Sequence, residues 1–217
     1  ITALAKIPDL ARIRYTTSHP NDMDQALIAA HGEVEKLMPY LHLPVQSGSN
    51  RILQKMNRSH TVQAYLSLLD RFKQVRPDIA FSGDFIVGFP GETEDDFNDT
   101  LNLVSEVGYS QAFSFKYSAR PGTPAAGMQE QLDRETMNDR LQRLQAKLNR
   151  DQYDFNKNIV GKFCEVLVER KGKLEGQWLG KSPWLTSVWF EGDAKIGDLI
   201  KMRIIDAGPN SLQGAVK

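Results

Sequence analysis

The sequence holds a single cysteine, Cys164, among its 217 residues. One thiol excludes an internal disulfide, and it excludes a zinc site or iron–sulfur cluster built on several thiolates of this chain. Long apolar runs are missing too: none approaches the roughly 20 residues of a membrane-spanning helix. Residues 1–7 lack the charged, apolar, small-residue order of a secretory leader, so a cytoplasmic protein with no membrane partner is expected. The chain opens on Ile1 rather than Met and runs almost at once into an apolar segment, as a cut or processed start does. There is no excess charge, since 27 Lys and Arg balance 27 Asp and Glu. A nucleic-acid partner therefore has to be held by a local basic surface. The four histidines, His19, His31, His42 and His60, lack metal-ligand spacing with one another or with Cys164, so no metal site is expected.

What is present fits a globular protein, with 41% apolar and 25% charged residues. The length exceeds the usual domain of about 100–150 residues, which predicts two unequal domains, 1–158 and 159–217. The first alternates short β-branched runs with helical periods, the pattern of βα units around a parallel sheet. Strands are predicted at 12–17, 40–45, 80–87 and 112–118, with helices near 22–37, over 62–75, from Thr93 onward and from Asp133 onward. Asp96 stands three residues after Thr93, as a capping box requires. Met137, Leu141, Leu144 and Leu148 mark the buried face of the last helix; its Arg134, Arg140, Arg143, Lys147 and Arg150 read as a solvated face or a binding stripe. Beyond Gly161 the helical period gives way to short alternating runs at 163–169, 186–190, 199–205 and 212–216, which predict a small antiparallel barrel. Cys164, Val166 and Val168 share one face of its first strand and are expected in its core.

Parallel βα barrels gather their active sites at the carboxy-terminal strand ends. That rule selects Thr17, Ser18 and His19, then Gln46 and Ser47, then Asp84 and Gly88, and finally Ser118 and Arg120. Gln46 and Ser47 offer groups to a ribose or carboxylate, or else they cap a turn. Gly48 allows close backbone approach to a ligand. Arg58, placed at a helix start, could grip a carboxylate or lie exposed. Asp84 sits in an apolar strand, where a carboxylate must be hydrogen-bonded or bind something. The amides of 88–93 could cradle an adenine or phosphate, or form a plain strand-to-helix turn. Trp178 and Trp184, near Lys171, Lys173 and Lys181, are expected as exposed RNA-stacking candidates, and Trp189 as core.

The strings RIRYTTSHP (12–20), LHLPVQSGSNRILQKMNR (41–58), DFIVGFPGET (84–93) and SARPGTP (118–124), in that order, resemble the MiaB family of tRNA methylthiotransferases. VGKFCEVLVE and PNSLQGAV in the tail resemble the RNA-binding TRAM module that closes such enzymes. The resemblance implies an α/β fold: part of a radical S-adenosylmethionine (βα) half-barrel, followed by a small all-β, OB-like TRAM barrel. It implies methylthiolation of the isopentenylated adenosine beside the anticodon, with the tRNA anticodon stem-loop as partner. By analogy Gln46, Ser47, Arg58 and Asp84, with Phe85, Ile86, Val87, Gly88 and Phe89, would bind S-adenosylmethionine. Arg120, Lys173, Trp178, Lys181 and Trp184 would meet substrate or RNA. No catalytic residue is assigned. The family's three-cysteine loop and its four-iron, four-sulfur clusters have no ligands in this sequence, so an N-terminal portion of the same polypeptide is expected to carry them, and the chain is expected to be inactive alone. An exposed sheet edge is predicted at the 12–17 strand. Two alternatives stand beside this reading: an RNA-binding module on a degenerate barrel, and a methylthiotransferase acting on a ribosomal protein.

Overall fold

A computed structural model describes residues 1–16 and 19–216. The predicted mouth residues Thr17 and Ser18 lie outside them. Short helix α1 (Thr2–Ala5) is followed by α2 (Gln25–Glu33), β1 (Tyr40–His42), α3 (Asn50–Lys55), α4 (Val62–Val75), β2 (Ala80–Val87), α5 (Glu94–Val107) and β3 (Gln111–Lys116). The three strands pair in parallel in the order β1-β2-β3. Parallel neighbours need crossovers, and α4 and α5 supply them. Helix α4 starts where the Thr61 side chain accepts the Ala64 amide, and it buries Val62, Tyr65, Leu68, Leu69 and Phe72 at three- and four-residue steps. Helix α5 begins with the expected capping box between Thr93 and Asp96.

The two helices share one core with Phe81, Phe85 and Val87 of β2. Fully burying such a side chain is worth about 1.5–3 kcal/mol. Two phenols deep in this core satisfy each other: the Tyr65 and Tyr109 hydroxyls lie 2.9 Å apart, and Tyr65 also donates to the Leu43 carbonyl. Burial pushes both hydroxyls above the ordinary tyrosine range.

Among the described residues of the predicted strand at 12–17, which are 12–16, no strand forms. Only Ile13 pairs, in a parallel bridge to Leu37, while Arg12 and Arg14 on either side reach away to the second domain. The sheet thus has three strands among the described residues instead of four. The helix expected near 22–37 is shorter, and a 3₁₀ turn at Pro20–Asp22 precedes it.

Helix α6 (Arg134–Lys157) is capped by Asp133, packs against β3 and leads into the second domain. Its 24 residues span about 36 Å. Leu144 and Leu148 are buried as expected, and so is Arg140, which the sequence placed on a solvated face. Strands β4 (Phe163–Lys171), β5 (Gln177–Lys181), β6 (Ser187–Glu191), β7 (Leu199–Ala207) and β8 (Ser211–Val216) close a barrel in the order β4-β5-β6-β8-β7. Strand β5 was not anticipated. Gly180 within it is pressed against the Leu167 carbonyl of β4, where a Cβ would collide. Cys164, Val166, Val168, Val188, Phe190, Met202, Ile204 and Leu212 fill the interior. Burial lifts the Cys164 thiol to about 11, so it is a core residue.

All three tryptophans are half-buried, so Trp189 is not the core residue expected and Trp178 and Trp184 are not fully exposed. Val188 and Phe190 point inward from β6, which turns Trp189 to the other face, whereas Trp178 and Trp184 pack against the barrel core.

Candidate functional site

Gln46 and Asp84 meet at the carboxy-terminal side of the sheet. The Gln46 amide donates to the Asp84 carbonyl and its own carbonyl accepts from Ile86, each at 2.9 Å. Gln46 holds a left-handed backbone with φ of 77°, unusual for a non-glycine residue. Arg58 lies on a separate stretch. Helix α3 ends in a Schellman motif: Asn57 takes the left-handed position, its amide bonds to Gln54, and the Arg58 amide bonds back to Leu53 at 2.9 Å. Arg58 therefore follows a helix end rather than starting a helix. Two residues on, His60 Nε2 lies 3.3 Å from the Val45 carbonyl and so donates to it, immediately before Gln46. The His60 ring stands edge-on to His19, with centroids 5.2 Å apart. Burial first, and then the neighbouring His19 and Arg58, hold His60 below the ordinary histidine range, partly opposed by the Val45 bond. Gln46 and Asp84 are thus backbone neighbours, and Arg58 stands near His60, whose ring bonds to the carbonyl just before Gln46.

Other predicted members have different duties. The Ser47 side chain is buried, accepts from the Ser49 amide and sits 3.4 Å from the Thr100 hydroxyl, which makes it a turn residue facing α5. Gly48 does permit close approach, but to α5: a Cβ would stand 2.5 Å from the Asp99 carbonyl and from the Thr100 Cα. Phe85 and Val87 point into the helix-side core and Phe89 is buried, so only Ile86 of the expected adenine segment faces the open side. The turn after β2 does not offer a ring of free amides. Gly88 donates to the Glu92 carboxylate at 2.7 Å, Gly91 to the Glu130 carbonyl, Glu92 to Phe89, and Thr93 to Asp96.

Buried charges hold this turn. Glu92 and Arg140 form an ion pair at 2.8 Å with side chains only 1% and 6% exposed. Burial raises the Glu92 carboxyl, and the Gly88 amide and Arg140 pull it back only in part. Burial acts on Asp96 as well, but hydrogen bonds from Arg51, Ser49 and Thr93 outweigh it and hold that carboxyl well below the usual range.

The open face of the sheet carries residues that sequence reasoning missed. His42 Nδ1 lies 3.0 Å from Ser82 Oγ, and its Nε2 lies 3.6 Å from Asp84 Oδ2. Its ring stands edge-on to Phe113 at 6.2 Å. Phe113 and Phe115 are 45% and 54% exposed, side by side on β3 opposite Asp84 and Ile86. Alternation along β1 and β3 marks these faces. Their meeting with Asp84 depends on a register the sequence does not display.

The expected RNA contacts divide between two places. Lys173 and Trp178 line a cleft of about 660 Å³ at one end of the barrel, together with Lys171, Lys195, Asp193 and Asp198. Leu174 on its wall and Ile196 in the neighbouring loop are exposed. Lys181 and Trp184 sit elsewhere, in a cleft between barrel and sheet. Lys181 bonds to Ser187, and Trp184 Nε1 donates to the Asp78 carbonyl at 2.8 Å, which pins that indole between domains. Arg120 is exposed in the loop after β3, where its carbonyl accepts from Thr123. Among the described residues no group of His, Cys, Asp or Glu could hold a metal ion, and the lone thiol is inside the barrel. The residues present do not fit an iron–sulfur cluster. No helix among the described residues is long and apolar enough to cross a membrane.

Residues 1–104 match the radical SAM superfamily and residues 157–217 match the TRAM domain. The chain is 69% identical over 214 residues to the tRNA-2-methylthio-N(6)-dimethylallyladenosine synthase of Erythrobacter litoralis, covering 99% of this chain and 48% of that protein. It is 68% identical over 212 residues to the protein of the same name from Novosphingobium aromaticivorans, covering 98% of this chain and 48% of that protein. For the one from Zymomonas mobilis the identity is 65% over 214 residues, with shares of 99% and 48%. The chain spans about half the length of these relatives. The parallel sheet and the closed barrel agree with these matches: the chain carries a radical SAM portion followed by a TRAM domain, and nearly all of it is similar to about half of each of these synthases.

Proposed function

We propose that this chain is part of a tRNA 2-methylthio-N6-isopentenyladenosine synthase acting in the cytoplasm. In this reading residues 1–158 supply one side of a cofactor rim and residues 159–217 hold RNA. What supports it is that Gln46 is bonded through its backbone to Asp84 on β2, and that Arg58 stands near His60, which bonds to the carbonyl just before Gln46. These groups suit S-adenosylmethionine, whose ribose hydroxyls donate to a carboxylate and whose methionyl carboxylate accepts from a guanidinium. Bound there, and given one electron by a cluster whose ligands this chain lacks, that cofactor would supply the radical chemistry for the adenosine. The chain's own residues bind and orient it: Asp84 and Gln46 hold the ribose, Arg58 the carboxylate, and Ile86 packs against the adenine. The cluster ligands belong to an N-terminal part of the polypeptide outside this sequence, which agrees with relatives about twice as long.

For RNA, the cleft of Lys171, Lys173, Trp178 and Lys195 is the favoured surface, since it joins an aromatic face to cations. Trp184 and Lys181 serve the domain contact instead. The partner is the anticodon stem-loop of isopentenylated tRNA. The test is to extend the chain to the length of its relatives, reconstitute it with iron and sulfide, and follow methylthio-group addition to isopentenylated tRNA by mass spectrometry. Addition to the tRNA supports the proposal. Labelling of a ribosomal protein in its place, or RNA binding with no cofactor cleavage, refutes it.

A further inference from the structure

The segment that failed to form a strand makes a strong contact between the two domains. Ile13 is buried and ties the segment to the sheet side: its amide donates to the Lys36 carbonyl at 2.7 Å, and its carbonyl accepts from Met38 at 3.0 Å. Extended backbone alternates, so Arg12 and Arg14 leave on the opposite side from Ile13, and both reach the barrel. Arg12 donates from Nη1 to the Lys181 carbonyl and from Nη2 to the Glu165 carbonyl, both at 2.8 Å. Arg14 Nη2 donates to the carbonyls of Ser182 and Pro183 at 2.8 and 2.9 Å. The Arg14 guanidinium also stands 5.9 Å from the centre of the Tyr40 ring on β1. From the other direction Trp184 Nε1 donates to Asp78 just before β2.

Every acceptor in this set is a backbone carbonyl, so the contact fixes the frame of the barrel rather than a mobile side chain. A planar guanidinium fork locks such geometry better than an ammonium does. Burial lowers the Arg14 guanidinium to about 10, and it stays charged at neutral pH. The same stretch then leads to the rim, because His19 lies five residues beyond Arg14, at most about 17 Å of extended chain, and its ring meets His60.

We propose that Arg12 and Arg14 are positioning residues, whose clamp holds the barrel at one distance and angle from the sheet so that RNA gripped by the barrel presents a single nucleotide to the cofactor held by Gln46, Arg58 and Asp84. This rests on the reading that rim and barrel serve one RNA. A small misplacement of a reacting group costs on the order of 100-fold in rate, whereas binding of cofactor alone is indifferent to where the barrel sits.

Two measurements test it on the double variant Arg12→Gln/Arg14→Gln. Spin labels at Gln74→Cys in α4 and Glu191→Cys in β6 report the distance between domains in this chain, since both positions are exposed and Cys164 is buried. The distance distribution is expected to broaden about twofold when the four hydrogen bonds go. In the version extended to the relatives' length, cofactor cleaved per methylthio group installed is expected to rise roughly tenfold, while RNA-independent cleavage stays within about twofold. That ratio does not depend on how much enzyme is folded, so simple destabilisation leaves it unchanged. An unaltered distribution, or an unaltered ratio, overturns the proposal. If the unsubstituted enzyme installs no methylthio group, the functional reading fails and the spin-label distances alone decide the clamp. Should the double variant not fold, Arg12→Lys keeps the charge but loses the fork that bonds two carbonyls at once; a distribution as narrow as the parent's then overturns the proposal, and broadening supports it.

Discussion

Replacing Arg140 by Met removes one half of the buried pair that anchors the turn after β2. Methionine fills most of the volume, so the loss is electrostatic rather than a cavity. The Glu92 side chain, 1% exposed, would lose its cation along with the bond from Arg140 to its own carbonyl. It would keep only the Gly88 amide. Breaking a buried pair from one side costs about 3–5 kcal/mol, because the partner is left charged and dry. Arg140→Met should therefore lower unfolding stability by about that amount in urea titrations. Arg140→Met/Glu92→Gln should recover at least about half, since Gln can still accept the Gly88 amide and carries no charge.

The pH dependence has a definite sign. Glu92 already has a raised carboxyl, and loss of Arg140 raises it further. A carboxyl higher in the folded than in the unfolded state costs nothing at pH below its unfolded value, about 4.3. The cost grows as pH rises toward the folded value. The Arg140→Met defect should thus shrink on acidification relative to the parent. A single variant within about 1 kcal/mol of the parent, or a double variant no better than the single, would refute the reasoning.

Three further outcomes are expected. His31 is fully buried and held down to about 4, by burial first and by Arg76 second, with Nε2 2.8 Å from the Tyr15 hydroxyl. The unfolded chain takes up a proton below about pH 6.5 that the folded one refuses, so stability should fall by about 3 kcal/mol between pH 6.5 and 4 and level off below; a urea midpoint whose pH profile is unchanged by His31→Gln refutes this. Cys164, buried and raised to about 11, should react with a thiol reagent at pH 8 at least about 100-fold more slowly in the native chain than in urea, and rapid stoichiometric labelling of the native chain would show the core assignment to be wrong. Gly48→Ala should cost about 1–3 kcal/mol in chemical denaturation, since the added methyl meets α5 backbone that cannot turn aside, and a neutral variant would contradict the close packing.

The features that were legible in the sequence are those whose cause lies within a few residues. Thr93 and Asp96 announce the start of α5 because a cap is a local hydrogen bond, and the steps from Val62 to Phe72 announce α4 because one helix face meets one core. Strand-end logic put Gln46 and Asp84 side by side, and their backbones are bonded, since parallel pairing aligns those ends. Arg140 was also within reach: it precedes Leu144 and Leu148 by one and two helical turns, on their stripe, but its charge hid the position. On β6 the phase was ambiguous. Val188, Trp189 and Phe190 are all apolar, and a shift of one residue turns every side chain over. Pairing of Trp178 with Phe190 and of Gly180 with Val188 settles which face is inside, and β5 was the strand not foreseen.

Residues 12–17 show most clearly where local pattern stops. Their β-like composition suggested a strand on the sheet, yet a strand is defined by what accepts its hydrogen bonds, and here those acceptors lie far along the chain. Arg12 and Arg14 take carbonyls of the barrel more than 150 residues away, |i−j| being 153 to 169. No period or cap within the segment encodes that destination. The guanidinium groups did carry a hint, since two arginines flanking one isoleucine leave a single apolar side chain for the sheet and two forked donors for something else. In a chain with a balanced charge, a buried donor must find an acceptor, and backbone carbonyls of a second domain are acceptors that bring no opposing charge of their own. The same choice explains why Ser182 is fully buried: its carbonyl serves the clamp, and the turn that holds it closes against the sheet. The two domains are therefore joined at this one segment, which meets the barrel through Arg12 and Arg14 and the sheet side through Ile13.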